Sequence, residues 1–343
     1  MASSTILSRD VLRIDPAAEA ERIQRGIRHA VFSDLRRRGI VVGVSGGIDS
    51  AVVAALSTRA LGKDRVVALF TPENDSSPDS IRLGVLLAEN LGIRSVTEDI
   101  TPVLSAAGCY RRRDDAVHTV VPEYGPGWRC KIVLPHASDG PGYAVFSVVV
   151  ESPEGRITKV RLTADAYLGI VAATNFKQRV RKMMEYYYAD RWQYAVAGTA
   201  NLLEHNLGFF VKNGDGAADL KPISHLYKSQ VYQIAARLGI PEEIQNRLPT
   251  TDTYPLHQSQ EEFYFSLPLA DFDLCLYSHD HGIPQADVAE VLQLPEIQVQ
   301  SVYASIDSKR KATRYLHKSL VLGALMRTGR RRLETSAATR RVI

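Results

Sequence analysis

The stretch that decides the fold is VVGVSGGIDS, residues 41–50, which runs directly into the apolar segment AVVAALSTRALG, residues 51–62. An apolar strand is therefore expected to end in a short loop of glycines and serines, and a helix to begin immediately after it. Such a junction presents free backbone N–H groups and the positive end of a helix dipole to an anion. The glycines let the backbone approach a ligand closely. The loop predicts a phosphate-binding site.

The loop differs from the common nucleotide-binding loops because it carries an aspartate and no lysine. It lacks the Gly-Lys-Ser/Thr of a Walker A loop and also the G-x-G-x-x-G dinucleotide fingerprint. Asp49 cannot face a phosphate without a cation, and Mg²⁺, which prefers carboxylate and phosphate oxygens, would resolve the conflict. The competing interpretation is a tight turn in which Asp49 only caps the helix. The candidate nucleotide contacts here are Ser45, Gly46, Gly47, Ile48, Asp49 and Ser50.

Strands and helices alternate along the first third of the chain. Helices are predicted where apolar residues recur at helical spacing between capping signals, and strands where short apolar runs end in turn residues. This alternation predicts a Rossmann-like α/β fold, a parallel sheet with helices on both faces that binds ligands at the carboxyl ends of its strands. The predicted elements are helices over 16–38, 51–61 and 79–91, and strands over 40–44, 65–70 and 95–100.

The rest of the chain is divided by a change in composition. Residues 108–168 interrupt the alternation begun over 1–107 and are interpreted as an insertion with a β-hairpin around SPEG, residues 152–155. The α/β pattern resumes over 169–326, with a helix over 168–188, a strand over 194–199 and a helical C-terminal part. Helices over 287–292 and 295–306 are spaced like a helix-turn-helix, and two packed helices are the expected explanation. The basic tail 327–343 lacks apolar periodicity and is expected to be mobile.

Composition restricts the function classes. The net charge is only +4, with part of it in the tail, so a nucleic-acid partner is not expected. The three cysteines, Cys109, Cys130 and Cys275, form no C-x-x-C pair, which predicts neither a disulfide framework nor a zinc site. No apolar run approaches the ~20 residues that span a bilayer. The N-terminus lacks the apolar segment of a signal peptide. We therefore expect a cytoplasmic protein with no membrane partner.

A second motif, AGTANLLEHNLGFFVKNGDGAADLKPISHLYKSQV, occupies residues 197–231. With the first loop it resembles the signature of the NAD synthetase family, within the PP-loop ATP pyrophosphatase superfamily. That family carries G-T-x-x-x-x-E, then G-F/Y-F-T-K-x-G-D-G-A-x-D, then P, then L-x-K-x-Q. The matching positions here are Gly198, Thr199 and Glu204; Gly208, Phe209, Phe210, Lys212, Gly214, Asp215, Gly216 and Asp219; Pro222; and Leu226, Lys228 and Gln230.

Three shorter segments extend the resemblance. NFKQRVRKMMEYYYA, residues 175–189, resembles the family's N-x-x-A-R-x-R-M helix, with Gln178 in place of a small residue. Residues 247–267 resemble a lid loop that closes over the site, lined by Thr250. Closure would keep water from a reactive intermediate. DSKRKATRYLHKS, residues 307–319, resembles H-K-R-x-x-P, although Ser308 replaces the histidine and the proline is missing.

The resemblance implies roles for individual residues. Asp49 and Glu204 would bind Mg²⁺, and Lys212 and Lys228 would contact phosphates or a developing oxyanion. The implied catalytic set is Asp49, Lys212, Asp215 and Lys228. The implied nucleotide contacts, besides the loop, are Arg179, Thr199, Lys228 and Thr250. The implied substrate contacts are Asn175, Arg181, Phe209, Lys212, Asp215, Asp219 and Lys309.

The implied activity is an amide-forming ligation that uses ATP and Mg²⁺. A carboxylate attacks the α-phosphorus of ATP, pyrophosphate leaves, and ammonia then displaces AMP from the acyl-adenylate. In the family the acid is nicotinic acid adenine dinucleotide (deamido-NAD) and the product is NAD. The 343 residues leave no room for a glutaminase domain, so the ammonia is expected to be free or to come from a separate glutaminase. The resemblance also implies a homodimer.

Three alternatives stay open at this point. One is a diverged family member that amidates a different carboxylate, since the insertion, Thr251, Thr253 and Ser308 lie where substrate recognition could change. Another is a tRNA-modifying PP-loop enzyme, for which the cysteines are poorly placed. The third is a non-enzymatic DNA-binding protein using residues 287–306, whose second helix lacks the positive charge that phosphate contacts need.

Overall fold

The computed structural model describes residues 7–133, 146–250, 253–260, 264–265 and 267–318. Thr251 and the predicted tail 327–343 lie outside these ranges. The strands are β1 (Ile40–Gly43), β2 (Val66–Phe70), β3 (Arg94–Thr97), β4 (Arg129–Val133), β5 (Ser147–Glu151), β6 (Ile157–Arg161) and β7 (Ala195–Ala197). The α-helices are α1 (Pro16–His29), α2 (Ile48–Leu61), α3 (Pro78–Leu91), α4 (Thr101–Ala106), α5 (Cys109–His118), α6 (Ala164–Trp192), α7 (Leu202–Leu207), α8 (Lys228–Leu238), α9 (Glu242–Gln245), α10 (Leu269–Asp280), α11 (Gln285–Leu292) and α12 (Glu296–Thr313).

A parallel sheet of four strands, in the order β3-β2-β1-β7, forms the centre of the fold. Val41 pairs with Val67 on one side and with Val196 on the other, so β1 is an inner strand. Its apolar residues are fully buried because helices cover both faces of the sheet. The predicted Rossmann-like α/β class is confirmed. The opening loop follows β1 at the carboxyl edge of this sheet.

The helix ends follow the capping signals in the sequence. Asp15 caps α1 by accepting the N–H groups of Ala17 and Ala18, and Gly62 and Gly92 end α2 and α3 with positive φ. The predicted helix over 16–38 is too long as a regular α-helix. After α1 the chain forms one turn of π-helix over Ala30–Asp34, and Arg36 then takes a positive φ.

A second sheet is built from β4, β5 and β6, all antiparallel. Strands β5 and β6 form the predicted hairpin, with Ser147 opposite Arg161 and Glu151 opposite Ile157. Helix α5, which precedes this sheet, was not predicted because its sequence CYRRRDDAVH offers few apolar residues. Arg113 is nonetheless buried there, among charged partners described below.

Helix α6 connects the two sheets. It has 29 residues, which corresponds to about 43 Å at 1.5 Å per residue. It begins earlier than predicted because Thr163 caps it by accepting the N–H of Ala166. Along its length it contributes Ile170 to the core beside the second sheet and Tyr188 to the core beside the first.

The C-terminal helices α10, α11 and α12 pack around a further apolar cluster. Val288 of α11 and Val299 and Ile306 of α12 are fully buried in that cluster. The helix-turn-helix spacing therefore reflects two packed helices, as expected. None of the helices in the described ranges is long and apolar enough to cross a membrane.

Candidate active site

A cavity of about 410 Å³ opens at the carboxyl ends of β1, β2 and β7. It is bounded by the opening loop, by α6, by the second motif and by the segment after α9. Most of the residues predicted for the site line this one cavity, although the two motifs are about 150 positions apart in sequence. The predicted residues that line it are Ser45, Gly47, Ile48, Asp49, Ser50, Asn175, Arg181, Thr199, Glu204, Phe209, Asp215, Lys228 and Thr250.

The loop after β1 is held by its own serines. The Ser50 hydroxyl donates to the Gly47 carbonyl at 2.9 Å, and the Ser45 N–H donates to the Ser50 hydroxyl at 3.3 Å. Gly47 is the N-cap of α2, and no side chain caps this helix start. Its first N–H groups thus remain available to an anion in the cavity.

Gly46 is the loop residue whose substitution should cost the most stability. It has a φ of +73°, and a Cβ there would lie 2.5 Å from the Ser80 carbonyl oxygen. We expect Gly46→Ala to lower the free energy of unfolding by about 1–3 kcal/mol, measured by chemical denaturation. Gly47→Ala is the matched control, since φ is negative there and the nearest atom lies at 3.4 Å. Equal losses in the two variants would contradict the steric explanation.

Two carboxylates and one ammonium group meet beside this loop. Lys228 Nζ forms an ion pair with Asp49 Oδ2, and Asn201 Nδ2 donates to Asp49 Oδ1 at 3.2 Å. Asn201 also forms a capping box with Glu204: its side chain accepts the Glu204 N–H, and Glu204 Oε2 accepts the Asn201 N–H. Asn201, which was not predicted, therefore links the two carboxylates that were predicted to bind metal.

The electrostatics of this cluster indicate a shortage of positive charge. Burial, together with the nearby charge of Asp49, raises the pKa of Glu204 to about 8. Burial by itself would lower the pKa of Lys228, but the carboxylates of Asp49 and Glu204 outweigh burial and raise it. A divalent cation would supply the missing charge.

The donor set fits Mg²⁺, which is commonly held by one or two carboxylates together with substrate phosphate oxygens. Asp49 and Glu204 could supply the protein ligands. Within the described ranges, no group of three or more His, Cys, Asp or Glu residues could hold a metal ion. The ion would thus need ligands from the substrate as well as from the protein.

Lys228 is oriented by a residue that was not predicted, Asp273 of α10. Its carboxylate is fully buried and accepts the N–H of Lys228 at 3.2 Å and that of Ser229 at 2.6 Å. Burial raises the pKa of Asp273 to about 6, although both N–H donors oppose the shift. Asp273 is therefore ionised at neutral pH and caps α8 from another helix.

Removing this cap should destabilise the protein. We expect Asp273→Ala to lower the free energy of unfolding by about 1–3 kcal/mol, because two buried N–H groups lose their acceptor. Asp271→Ala on the same helix is the control, since Asp271 forms an ion pair with the half-exposed Arg9. Thermal unfolding of both variants would check this. A variant at Asp273 as stable as the control would show that the cap contributes little.

The segment after α9 closes one side of the cavity. Its described part, residues 247–250 and 253–260, is called the lid segment below. Arg247 donates to the Ser45 carbonyl at 3.3 Å and to the Ser80 hydroxyl at 2.9 Å. At the other end, Gln260 Nε2 donates to Glu204 Oε1 at 3.2 Å. Arg247 and Gln260 were not predicted as site residues, because each is an ordinary surface residue when considered alone.

Asp215 lies in the cavity wall as a partly buried carboxylate. Its Oδ1 accepts the N–H of Val211 at 2.8 Å, and burial raises its pKa. Lys182 and Glu185 of α6 also line the cavity and form a buried ion pair at 2.6 Å. Neither was predicted, because helix charges are normally interpreted as solvated. Two charged groups of α6 thus lie in the cavity wall close to Asp215.

Five predicted residues lie outside the cavity lining: Gly46, Arg179, Lys212, Asp219 and Lys309. Asp219 Oδ2 accepts the Val196 N–H at 2.7 Å and so anchors β7. Arg179 donates to the Lys212 carbonyl at 3.3 Å. Lys212 itself donates to the Tyr315 carbonyl at 3.2 Å. Lys309 lies 4.7 Å from the centre of the Tyr264 ring, and burial lowers its pKa to about 8. The substrate contacts of Lys212, Asp219 and Lys309 stay predictions, and so does the nucleotide contact of Arg179.

Comparisons with known proteins show the family to which the chain belongs. The sequence model of the NAD synthase family matches residues 19–137 and 156–315. An NH(3)-dependent NAD(+) synthetase of Rhizobium meliloti (strain 1021) is 58% identical over 312 residues, 91% of this chain and 93% of the relative. The corresponding enzyme of Thermotoga maritima is 38% identical over 268 residues, 76% of this chain and 89% of the relative.

Solved structures share the fold. The NH3-dependent NAD synthetase of Campylobacter jejuni superposes with a TM-score of 0.60 at 22% identity, over 91% of this chain and 100% of that chain. The NMN synthetase of Francisella tularensis gives a TM-score of 0.62 at 20% identity, with the same coverage. At these identities the likeness concerns the fold alone.

Proposed function

Because the chain belongs to the NAD synthase family, we propose that it is a carbon-nitrogen ligase that makes NAD from deamido-NAD, ATP and ammonia. The observation that carries this proposal is the meeting of both sequence motifs in one cavity, in a chain 58% identical to an NH(3)-dependent NAD(+) synthetase along nearly its whole length. The alternative, a diverged enzyme for another carboxylate, is not favoured by relatives of this identity.

In the first step the carboxylate of deamido-NAD attacks the α-phosphorus of ATP, and pyrophosphate leaves. The free N–H groups at the start of α2 hold the departing pyrophosphate, and the Lys228 ammonium supports it with positive charge. Mg²⁺ held by Asp49 and Glu204 would, when bound, neutralise charge on the phosphate oxygens. Arg247, at the edge of the same loop, is placed to contact phosphate.

In the second step ammonia adds to the acyl carbon and AMP leaves. Water competes for the same carbon, so the site has to exclude it. The lid segment contributes Pro249, Thr250 and Tyr254 to the cavity wall, which makes it the structure that covers the intermediate.

The test is ammonia-dependent release of pyrophosphate and AMP with deamido-NAD, compared with a panel of other carboxylates that includes nicotinic acid mononucleotide. We expect turnover with deamido-NAD to exceed that with the other acids by about 100-fold or more, since a site built to bind polar substrate groups rejects analogues that lack them. No turnover with deamido-NAD under conditions in which an established NAD synthetase works would refute the proposal.

We further propose a homodimer formed along α6. Met183 and Tyr187 lie one helical turn apart on this helix and are each 52% exposed, which is unusual for two large apolar side chains on one face. Light scattering would test this, and a monomer at micromolar concentration would contradict it. A cytoplasmic location and the use of free ammonia stay predictions.

A further inference from the structure

The chain contains a buried cluster of charges that the reaction described above does not use. Lys177 of α6 is fully buried, and its Nζ lies 2.9 Å from Glu73 Oε1 and 2.5 Å from Asp75 Oδ2. Arg113 of α5 forms a second ion pair with Asp75, and Tyr110 donates to Glu73 at 2.8 Å. Arg181 lies 3.9 Å from Glu73 and Asp114 lies 2.8 Å from Arg113, so cations of α5 and α6 surround the two carboxylates of the loop between β2 and α3, which borders the active-site cavity.

The Lys177 ammonium also contacts the lid segment. Nζ donates to the carbonyl oxygen of Thr253 at 2.6 Å. Burying an ammonium group is costly unless every donor finds a partner. The Lys177 ammonium donates hydrogen bonds to Asp75 Oδ2 and to the lid carbonyl of Thr253, so the lid supplies one of its two hydrogen-bond acceptors. The position of Thr253 is therefore tied to an element of the protein core.

The second sheet holds the same segment from the other side. Leu256 donates its N–H to the Cys130 carbonyl of β4 at 3.3 Å, and the buried Gln258 side chain donates to the Ile132 carbonyl. Tyr254 is buried in the apolar core of that sheet. The lid segment therefore rests on β4 along several consecutive residues.

We propose that Lys177 and Gln258 are positioning residues that dock the lid segment, and that the second sheet serves as its seat. The docked segment places Gln260 against Glu204 and Arg247 against the phosphate loop. This inference rests on the proposed function, and it assigns a role to β4 and its neighbouring strands. It also assigns a role to the buried charge cluster, which links the lid segment to the wall of the nucleotide site.

The chemical consequence concerns the fate of the acyl-adenylate. With ammonia, the new C–N bond forms, the bond between the acyl carbon and the bridging oxygen breaks, and AMP leaves with the electron pair. With water, the same bond breaks, the carboxylate is regenerated, and protons pass to solvent, so ATP and water give only AMP and pyrophosphate. A docked lid segment favours the reaction with ammonia because it excludes water from the acyl-adenylate.

The experiment measures AMP and NAD formed per turnover in the full-length protein. Wild-type protein should give a ratio of AMP to NAD near one. Gln258→Ala should raise the fraction of intermediate lost to water about fivefold, the factor that corresponds to the loss of one hydrogen bond. Lys177→Met should raise it at least as much. Excess AMP should fall as ammonia is raised, because ammonia and water compete for the same carbon.

Arg129→Ala is the matched control, since Arg129 lies on β4 but its exposed side chain pairs with Glu151 of the neighbouring strand β5. Its ratio should stay near one. A merely structural defect lowers both products together and leaves the ratio unchanged. Ratios near one in Gln258→Ala, with wild-type protein active, would overturn the inference, and this variant decides the matter if Lys177→Met does not fold. A wild-type protein that forms no NAD would refute the proposed function instead.

Discussion

Asp49→Asn is expected to reduce ATP-dependent pyrophosphate release by at least about 100-fold, the scale seen when one group that stabilises developing charge is removed. The substitution keeps the size of the side chain and lets it still accept a hydrogen bond from Asn201. It removes the negative charge that pairs with Lys228 and that would bind Mg²⁺. The rate of pyrophosphate release at saturating ATP and deamido-NAD, over a range of Mg²⁺ concentrations, measures the effect.

The control for Asp49→Asn is Asp79→Asn. Asp79 occupies the first turn of α3 as Asp49 occupies the first turn of α2, but it is exposed and pairs with Arg82. The control should retain near-normal activity. Near-normal pyrophosphate release by Asp49→Asn would show that the aspartate only caps its helix, the competing interpretation of this loop.

Glu204→Gln is expected to cause a similar loss of activity without a loss of stability. Burial, and then the charge of Asp49, raise the pKa of Glu204 to about 8, so the folded protein without metal favours the protonated side chain more than water does. Glutamine has the shape of that protonated form, so the folded state should accept it. What it cannot do is become a carboxylate ligand, and pyrophosphate release should fall by about 100-fold or more.

The pH dependence of stability supplies an independent check. A carboxyl group whose pKa is raised in the folded state stabilises the fold only while it is protonated, so the wild-type free energy of unfolding should decline as the pH rises toward and through 8. Glu204→Gln lacks this contribution, and its decline should be smaller. Glu242→Gln, an acid in the first turn of α9, serves as the control. Identical pH profiles for Glu204→Gln and wild-type protein, measured without metal, would contradict the raised pKa.

Local signals in the sequence were sufficient to predict the first sheet and the phosphate loop. Asp15, Gly62 and Gly92 mark helix ends by their own backbone preferences, and the apolar run before Ser45 is long enough for one buried strand. The two motifs also predicted that Asp49 and Glu204 line the same site. Such features depend on residues that are neighbours along the chain or on a family signature.

Several of the residues that escaped prediction have partners that are far away in sequence. Lys177 and its partner Asp75 are 102 positions apart in sequence, and Asp273 and its partner Lys228 are 45 positions apart. A lysine or aspartate on a helix is normally exposed, and only its tertiary partner shows that it is buried. Helix α5 escaped for the same reason, since Arg113 is a charged residue that lies inside the fold.

The length of α6 has a consequence for how the protein unfolds. The helix contributes Ile170, Val180 and Tyr188 to three separate apolar cores, one beside each sheet and one between them. Neither sheet can lose its packing without breaking contacts with α6, so the two sheets should unfold as one cooperative unit. Amide hydrogens in the middle of α6 should then exchange only through global opening, together with those of β1.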